Sequence, residues 1–478
     1  MTRKSKFYLF IFILAFLILI ILGFINVGKE STNPFINSIK LIVPEKAKIY
    51  LKKTIFILPD LISKIEKNRT KIKELEEKIA ELTIIVDSQI NGFNILEDRE
   101  IKSKLNTYSF KTFKLPYRGW LSGSNWIKPT AYIEQTNDKI IIVSGNGKFF
   151  SFNKKNLDSD SLKIEHIKSN IKSLISDEQF YKNSSYSIKD LFILDNDIFF
   201  SYSKQQTKNC YNTTIISAEL NYDYLQFSEF FSYEDCVSKD ENGQNRIDGY
   251  RSGGRMVSFK DGKILLTTGD YLYRPIAQNK DSIFGKIISI DLQTKDYEII
   301  AMGIRNSQGL YYDRDKDIII FTDHGPKGGD EININFSPDK KIVENYGWPI
   351  SSYGEHYDGK SRNEAPLHKS HKDYGFIEPI KYFTKRIAIS EIIKVPQVFN
   401  KKSTNGFFIG ALGYKSNFKV GGRSIHHIQF DNDLEKIIFE DLIPIGDRVR
   451  DMVLIKEKNI VLMILEDIPS VGILKLME

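Results

Sequence analysis

The stretch IIIVSGNGKFFSF, residues 140–152, sets two short apolar runs, 140–144 and 149–152, on either side of Gly145-Asn146-Gly147. That is the signature of two strands joined by a tight turn. The figure recurs along the chain. In MVSFKDGKILLTT (256–268) the runs flank Asp261-Gly262, and in LFILDNDIFFSY (191–202) they flank Asp195-Asn196-Asp197. Further runs lie at 318–322, 407–412, 424–430 and 460–465. From residue 107 to 478 no helical period interrupts them. So long a series of short strands is too much for one sandwich and suits radial blades of four strands, a β-propeller. No clean internal repeat counts the blades.

The chain ahead of residue 107 is of another kind. Residues 7–25 form one apolar run, long enough to span a bilayer, preceded by Arg3, Lys4 and Lys6. This predicts a single-pass membrane anchor over 1–28 with a cytoplasmic N-terminus and a propeller in the periplasm or outside the cell. The alternative is a cleaved signal peptide, but Phe24-Ile25-Asn26-Val27-Gly28 is a poor cleavage site. Residues 29–58 form a connector. Over 59–90, Ile65, Ile72, Ile79 and Val86 share one heptad position, with Leu61, Asn68, Leu75 and Leu82 on the other. Such a seam suits a two-stranded coiled coil, and so a homodimer through residues 60–90, or a single amphipathic helix.

The 68 Lys and Arg against 61 Asp and Glu are interspersed, so no basic stripe points to nucleic acid. The two cysteines, Cys210 and Cys236, are centred on Asp223. If the apolar runs around it pair as a hairpin turning there, the cysteines come opposite each other at disulfide distance.

The densest chemistry lies between 302 and 359. Gly303-Ile304-Arg305-Asn306-Ser307-Gln308-Gly309-Leu310 is followed by Asp323-His324-Gly325-Pro326-Lys327-Gly328-Gly329-Asp330-Glu331, then by Asn345-Tyr346-Gly347-Trp348-Pro349. The middle segment is a glycine-rich turn crowded with carbonyl and carboxylate oxygens, a mixture that hard cations such as calcium favour. With Gly253-Gly254-Arg255-Met256, Thr268-Gly269-Asp270, Ala277-Gln278, Gly285-Lys286 and Gly446-Asp447-Arg448-Val449-Arg450-Asp451, these motifs closely resemble the glucose/sorbosone dehydrogenase family, the aldose sugar dehydrogenases dependent on pyrroloquinoline quinone.

The resemblance covers residues 110–478 and implies an all-β, six-bladed propeller that oxidises a sugar C1 hydroxyl to a lactone, with hydride transfer to the quinone. It implies that Arg305 and Asn306 contact the quinone, that Arg448 and Arg450 meet its carboxylates, and that Tyr357 lies beside it. Gly325 and Pro326 would give carbonyls to a calcium ion, with Asp330 close behind. Glu331 and Tyr346 would hold a second, structural calcium.

Departures matter as much. Where the family carries its base histidine this chain has Arg251, while the partner aspartate is kept as Asp270. Ser185 stands where a cofactor-binding glutamine is expected, and Gly413 where a lysine often follows Ala-Leu, with Lys415 close enough to compensate. Arginine is permanently protonated and cannot take the proton. Two readings follow: a sugar dehydrogenase with altered proton transfer, or a calcium-stabilised propeller that no longer turns over and binds a glycan, small molecule or protein.

Overall fold

A computed structural model describes residues 63–72, 75, 76, 79, 93–115, 130–145, 147–175, 188–238, 251–260, 262–338 and 342–477. The expected anchor at 7–25, the connector and Leu61, Leu82 and Val86 of the heptad lie outside them. Among the described residues no helix is long and apolar enough to cross a membrane. The chain divides into two units, 1–80 and 81–478. In the first, residues 63–72 are helical, with Ile65, Ile72, Leu75 and Ile79 exposed.

The second unit is a six-bladed β-propeller. Its innermost strands, in chain order, are Ala131–Gln135, Ile188–Leu194, Gly253–Phe259, Ser307–Asp313, Ile389–Val395 and Val449–Ile455, which head blades 1 to 6. Each packs on the next, and the last packs on the first. The ring is closed by strand exchange. Blade 6 takes its fourth strand, Thr107–Lys114, from ahead of blade 1, in antiparallel register with Ser470–Leu476. One difference from the sequence reading stands out: β-structure starts at Phe93–Lys102, a fifth strand outside Thr107–Lys114. Its Glu97, Asp98, Arg99 and Glu100 mark a charged edge, which hides any period of two.

The core lies between the blades. Five apolar clusters each join two neighbouring blades, for example Ile264, Leu266 and Ile288 of blade 3 with Phe199 and Ile215 of blade 2, and a sixth joins blades 1 and 2 with Tyr271 and Phe284 of blade 3. Each such buried Ile or Phe contributes roughly 1.5–3 kcal/mol. Polar ties repeat the pattern, since a second-strand hydroxyl donates to the next blade's first strand. Ser201 reaches the Gly254 carbonyl (2.5 Å), Thr267 that of Ser307 (3.1 Å) and Thr322 that of Ser390 (2.8 Å).

Five of the six innermost strands are bulged near their first residues, between 188 and 190, 253 and 256, 307 and 309, 389 and 392, and 449 and 451. Bulges re-aim side chains. Lys189, Arg255, Gln308, Glu391 and Arg450 all belong to these irregular stretches. At the centre Arg255 pairs with Asp190 (2.6 Å), Glu391 (2.6 Å) and Asp451 (2.9 Å), from three other blades. Glu134 of blade 1 is close to the same group, and burial pushes its carboxyl up to about 8 and that of Asp190 to about 7. Burial thus favours the protonated form of both carboxyls, against the pull of Arg255.

Cys210 and Cys236 are joined by a disulfide. Cys210–Glu219 and Ser228–Ser232 form the antiparallel pair beside it, with Thr214 opposite Ser232. Leu225 departs from that hairpin and, with Tyr224, runs parallel to Lys168–Ser169 of blade 1.

Candidate functional site

The starts of the innermost strands and the loops between second and third strands bring the expected residues together. Asp323, at the end of its strand, accepts from the backbone N–H of Arg305 (2.9 Å) and of Asn306 (2.6 Å), which fixes that pair at the head of blade 4. Burial pushes the Asp323 carboxyl up to about 7. The Asn306 side chain accepts from Gly253 N–H of blade 3. Arg305 donates to the His324 carbonyl (2.7 Å) and lies over the Trp348 ring at 5.3 Å, while its Nε is buried with no hydrogen-bond partner.

Blade 6 supplies the other arginines. Glu466, 1% exposed, accepts from Arg450 Nε at 2.6 Å and from Arg448 Nε at 2.9 Å. Burial opposes its ionisation, but the two guanidiniums hold its carboxyl below the usual range. Arg450 also donates to the Gln308 side chain (2.6 Å), which His324 Nε2 meets at 3.3 Å. Burial and then Arg305, Arg450, Arg448 and Arg386 keep the His324 imidazole neutral. Four arginines around one neutral imidazole, with an unpartnered buried guanidinium nitrogen among them, fit a polycarboxylate cofactor.

The two expected cation sets fare differently. Asp330 spends both carboxylate oxygens on backbone N–H groups, of Gly325 (3.1 Å) and of Ile387 and Ala388 (2.8 Å each), so it shapes the turn. In that turn the Gly328 and Gly329 carbonyls stand 2.2 Å from where a Cβ on Gly325 would lie, so only glycine fits there. The expected donors left in this set are the Gly325 and Pro326 carbonyls. The Pro326 carbonyl accepts from the Tyr357 hydroxyl (2.7 Å), and Tyr357 is 56% exposed at the rim. At the second set, His371 intervenes. Its buried ring donates from Nδ1 to the Tyr346 carbonyl (2.9 Å), and Nε2 stands 3.3 Å from a Glu331 oxygen, close but not aligned as a hydrogen bond. With the imidazole between those two donors, the pair does not fit a cation as it stands.

The position expected to bear the base holds Arg251, 6% exposed, with Nη1 3.6 Å from Asp270 Oδ2. Asp270 is fully buried. It accepts from Trp348 Nε1 on Oδ2 (2.9 Å) and from Leu272 N–H on Oδ1 (2.9 Å). The second bond needs a left-handed turn at two non-glycine residues, Tyr271 (φ 47°) and Leu272 (φ 74°). Such backbone costs roughly 1–2 kcal/mol per residue. Backbone bonds from Asp270 N to Arg305 O and from Tyr271 N to Arg251 O tie the three residues into one corner. Gly269 is required there, because a Cβ would meet the Arg251 carbonyl at 1.8 Å.

Trp348, Arg274, Gln308, Arg386 and Glu466 were not singled out from sequence. Two of them stand in motifs quoted above, Gln308 in Gly303–Leu310 and Trp348 in Asn345–Pro349, and no motif points to the other three. Ser185 lies outside the described residues. At the Gly413 departure the backbone carbonyl accepts from Arg448 (3.1 Å), and Lys415 lines, with Arg448, a cavity of 870 Å³. Among the described residues no group of three or more His, Cys, Asp or Glu side chains could hold a metal ion.

The glucose/sorbosone dehydrogenase family model matches residues 187–474. The aldose sugar dehydrogenase YliI of Escherichia coli is 30% identical over 233 residues, 45% of this chain and 58% of that protein. The chain thus spans a little over half the length of this curated relative. Among solved structures, the soluble aldose sugar dehydrogenase from Escherichia coli in its apo-form is 20% identical, with a TM-score of 0.55 over 80% of this chain and 99% of that one. The PQQ-bound aldose sugar dehydrogenase from Streptomyces coelicolor is 13% identical, with a TM-score of 0.50 over 79% and 98%. These two are likenesses of fold. The family match covers well over half of the 478 residues, and the chain belongs to the glucose/sorbosone dehydrogenase family.

Proposed function

We propose that this propeller binds pyrroloquinoline quinone and a sugar at the mouth where Arg305, Arg448 and Arg450 meet. The observation that carries this is the run of contacts from Arg305 through His324 and Gln308 to Arg450, which with Arg448 holds Glu466. Arg448 and Arg450, held in place by Glu466, and Arg305 with Asn306 would hold the quinone, and Tyr357 would cover it. The Gly325 and Pro326 carbonyls would hold calcium against it. When bound, the quinone supplies a two-electron acceptor for the hydride of the sugar C1. The hydroxyl proton must then leave by another route. Arg251 cannot accept it, and both Asp270 oxygens face N–H donors, so water takes it and turnover is slow. General-base help is typically worth 10² to 10⁴ in rate.

A second reading, that the site binds without oxidising, draws on the contact between Arg251 and Asp270. Calorimetry with quinone and calcium, followed by dye-linked aldose oxidation, tests both readings. Tight quinone binding with slow turnover that Arg251→His raises supports the first, and tight binding with no turnover supports the second. Absence of quinone binding removes it.

The same reading places residues 7–25 in a membrane, the propeller on the extracytoplasmic side and two copies side by side through residues 60–90. The disulfide agrees with an oxidising compartment.

A further inference from the structure

The 870 Å³ cavity beside Arg448 has no part in the quinone reading. Pockets for drug-sized ligands measure roughly 300–1,000 Å³, so it has room for one. Three arginines build its wall, and each is fixed by one carboxylate and one backbone carbonyl. Arg99 donates to Glu97 (2.6 Å) and to the Ile445 carbonyl (2.6 Å). Arg423 pairs with Asp467 and donates to the Gly446 carbonyl (2.7 Å). Arg448 donates to Glu466 (2.9 Å) and to the Gly413 carbonyl (3.1 Å). A guanidinium carries five N–H donors, so each keeps donors for a ligand in a wall that is already ordered. Acceptors stand among them: Glu97, Asp467 and Asp447, the last held by the backbone N–H groups of Arg448 (2.5 Å) and Asp467 (2.9 Å). Lys415 is the fourth basic side chain of the lining, against those three acidic ones. Donors set beside acceptors with little net charge suit the adjacent hydroxyls of a neutral sugar better than an ion. Tyr414 and Ile468, 46% and 48% exposed, also line the cavity and offer apolar surface to the C–H face of a sugar ring.

Two runs of contacts join this cavity to the candidate site. Arg448 shares Glu466 with Arg450. Arg386 lies over the Tyr414 ring at 4.6 Å and over the Tyr357 ring at 5.9 Å. We propose that the cavity is a subsite for the further units of an oligosaccharide whose reducing end lies at the mouth. This rests on the sugar-binding reading above. Glu97 and Arg99 come from Phe93–Lys102, the strand added outside the four of blade 6, so the extra strand supplies part of the subsite. Chain length, as well as the C1 hydroxyl, then decides which sugar is taken.

The test is calorimetry on the full chain in detergent, with glucose, maltotriose and cellotriose as titrants, each with and without saturating quinone and calcium. Maltotriose, cellotriose or both should bind roughly tenfold or more tightly than glucose. Tyr414 and Ser416 are both exposed lining residues. Tyr414→Ala removes the ring and Ser416→Trp fills the space, and each should bring the preference down to about threefold or less. Melting curves of the variants check folding. Should Ser416→Trp not fold, Tyr414→Ala still decides. Equal affinity for glucose and both trisaccharides, no binding of any of the three, or a preference unchanged in the folded variants overturns the proposal. Quinone titration of the same samples shows separately whether the cofactor reading stands, so failure of one is not failure of the other.

Discussion

Trp348 donates its indole N–H to Asp270 at 2.9 Å, and so ties the long insertion that follows Asp330–Asn335 in blade 4 to the candidate site in blade 3. Trp348→Phe removes that donor from a fully buried carboxylate without emptying the ring's place. The expected cost is about 1–3 kcal/mol in urea unfolding, with far-UV circular dichroism unchanged. A change under 0.3 kcal/mol would show that Asp270 does not depend on the indole.

Arg255 is the shared partner of Asp190, Glu391 and Asp451. Arg255→Met strands three buried carboxylates, and the expected loss is about 3–5 kcal/mol. Adding Asp190→Asn and Glu391→Gln should recover much of it, since the buried charges go with their partner. Denaturant midpoints of the single and triple variants decide whether the cluster acts as one unit.

His371 stands between Glu331 and the Tyr346 carbonyl. In quinone-free protein, calcium and a chelator should therefore give melting temperatures within about 1 °C of each other, an interval smaller than about 1 kcal/mol would produce. His371→Ala should lower the melting temperature and open those oxygens, so that added calcium recovers part of the loss. A marked calcium dependence in the wild type, abolished by Glu331→Gln, would show that the ion displaces the imidazole.

His426 and His427, neighbours in strand Ile425–Phe430, are both buried, and burial pushes each imidazole down to about 4. Unfolded, they titrate near 6.5, so between pH 6.5 and 4 the unfolded chain binds protons that the native state refuses. Their contribution is complete above pH 6.5 and is lost as pH falls to 4, by at most about 3 kcal/mol each. Buried carboxyls such as Asp190 and Asp323, raised to about 7, slope the other way. The readout is therefore the wild type minus His426→Asn/His427→Asn difference in unfolding free energy, which should shrink on acidification.

Turn chemistry made the strands legible: the runs read at 140–144, 149–152 and 460–465 are the strands Lys139–Ser144, Phe149–Asn153 and Ile460–Leu465. The motifs likewise pointed to Arg305, Asn306, Arg448 and Arg450 as one site. What stayed hidden depends on ring closure. Arg255 meets residues 190, 391 and 451, and Glu466 orients both blade 6 arginines, yet no spacing along the chain encodes either meeting. Nor could motif order reveal that Asp330 would turn to backbone N–H groups and His371 would enter the second oxygen pair. Those outcomes depend on which groups the folded chain brings to one buried acceptor.

Thr107–Lys114 hydrogen-bonds to Ser470–Leu476, a partner made some 360 residues later. During synthesis this early strand waits with an unsatisfied edge until the last blade arrives, so the annulus is completed in a single late event rather than blade by blade. Clipping off the final strand would therefore uncouple the first and last blades together. The same seam is the natural place for the ring to give way under tension drawn through the preceding Phe93–Lys102.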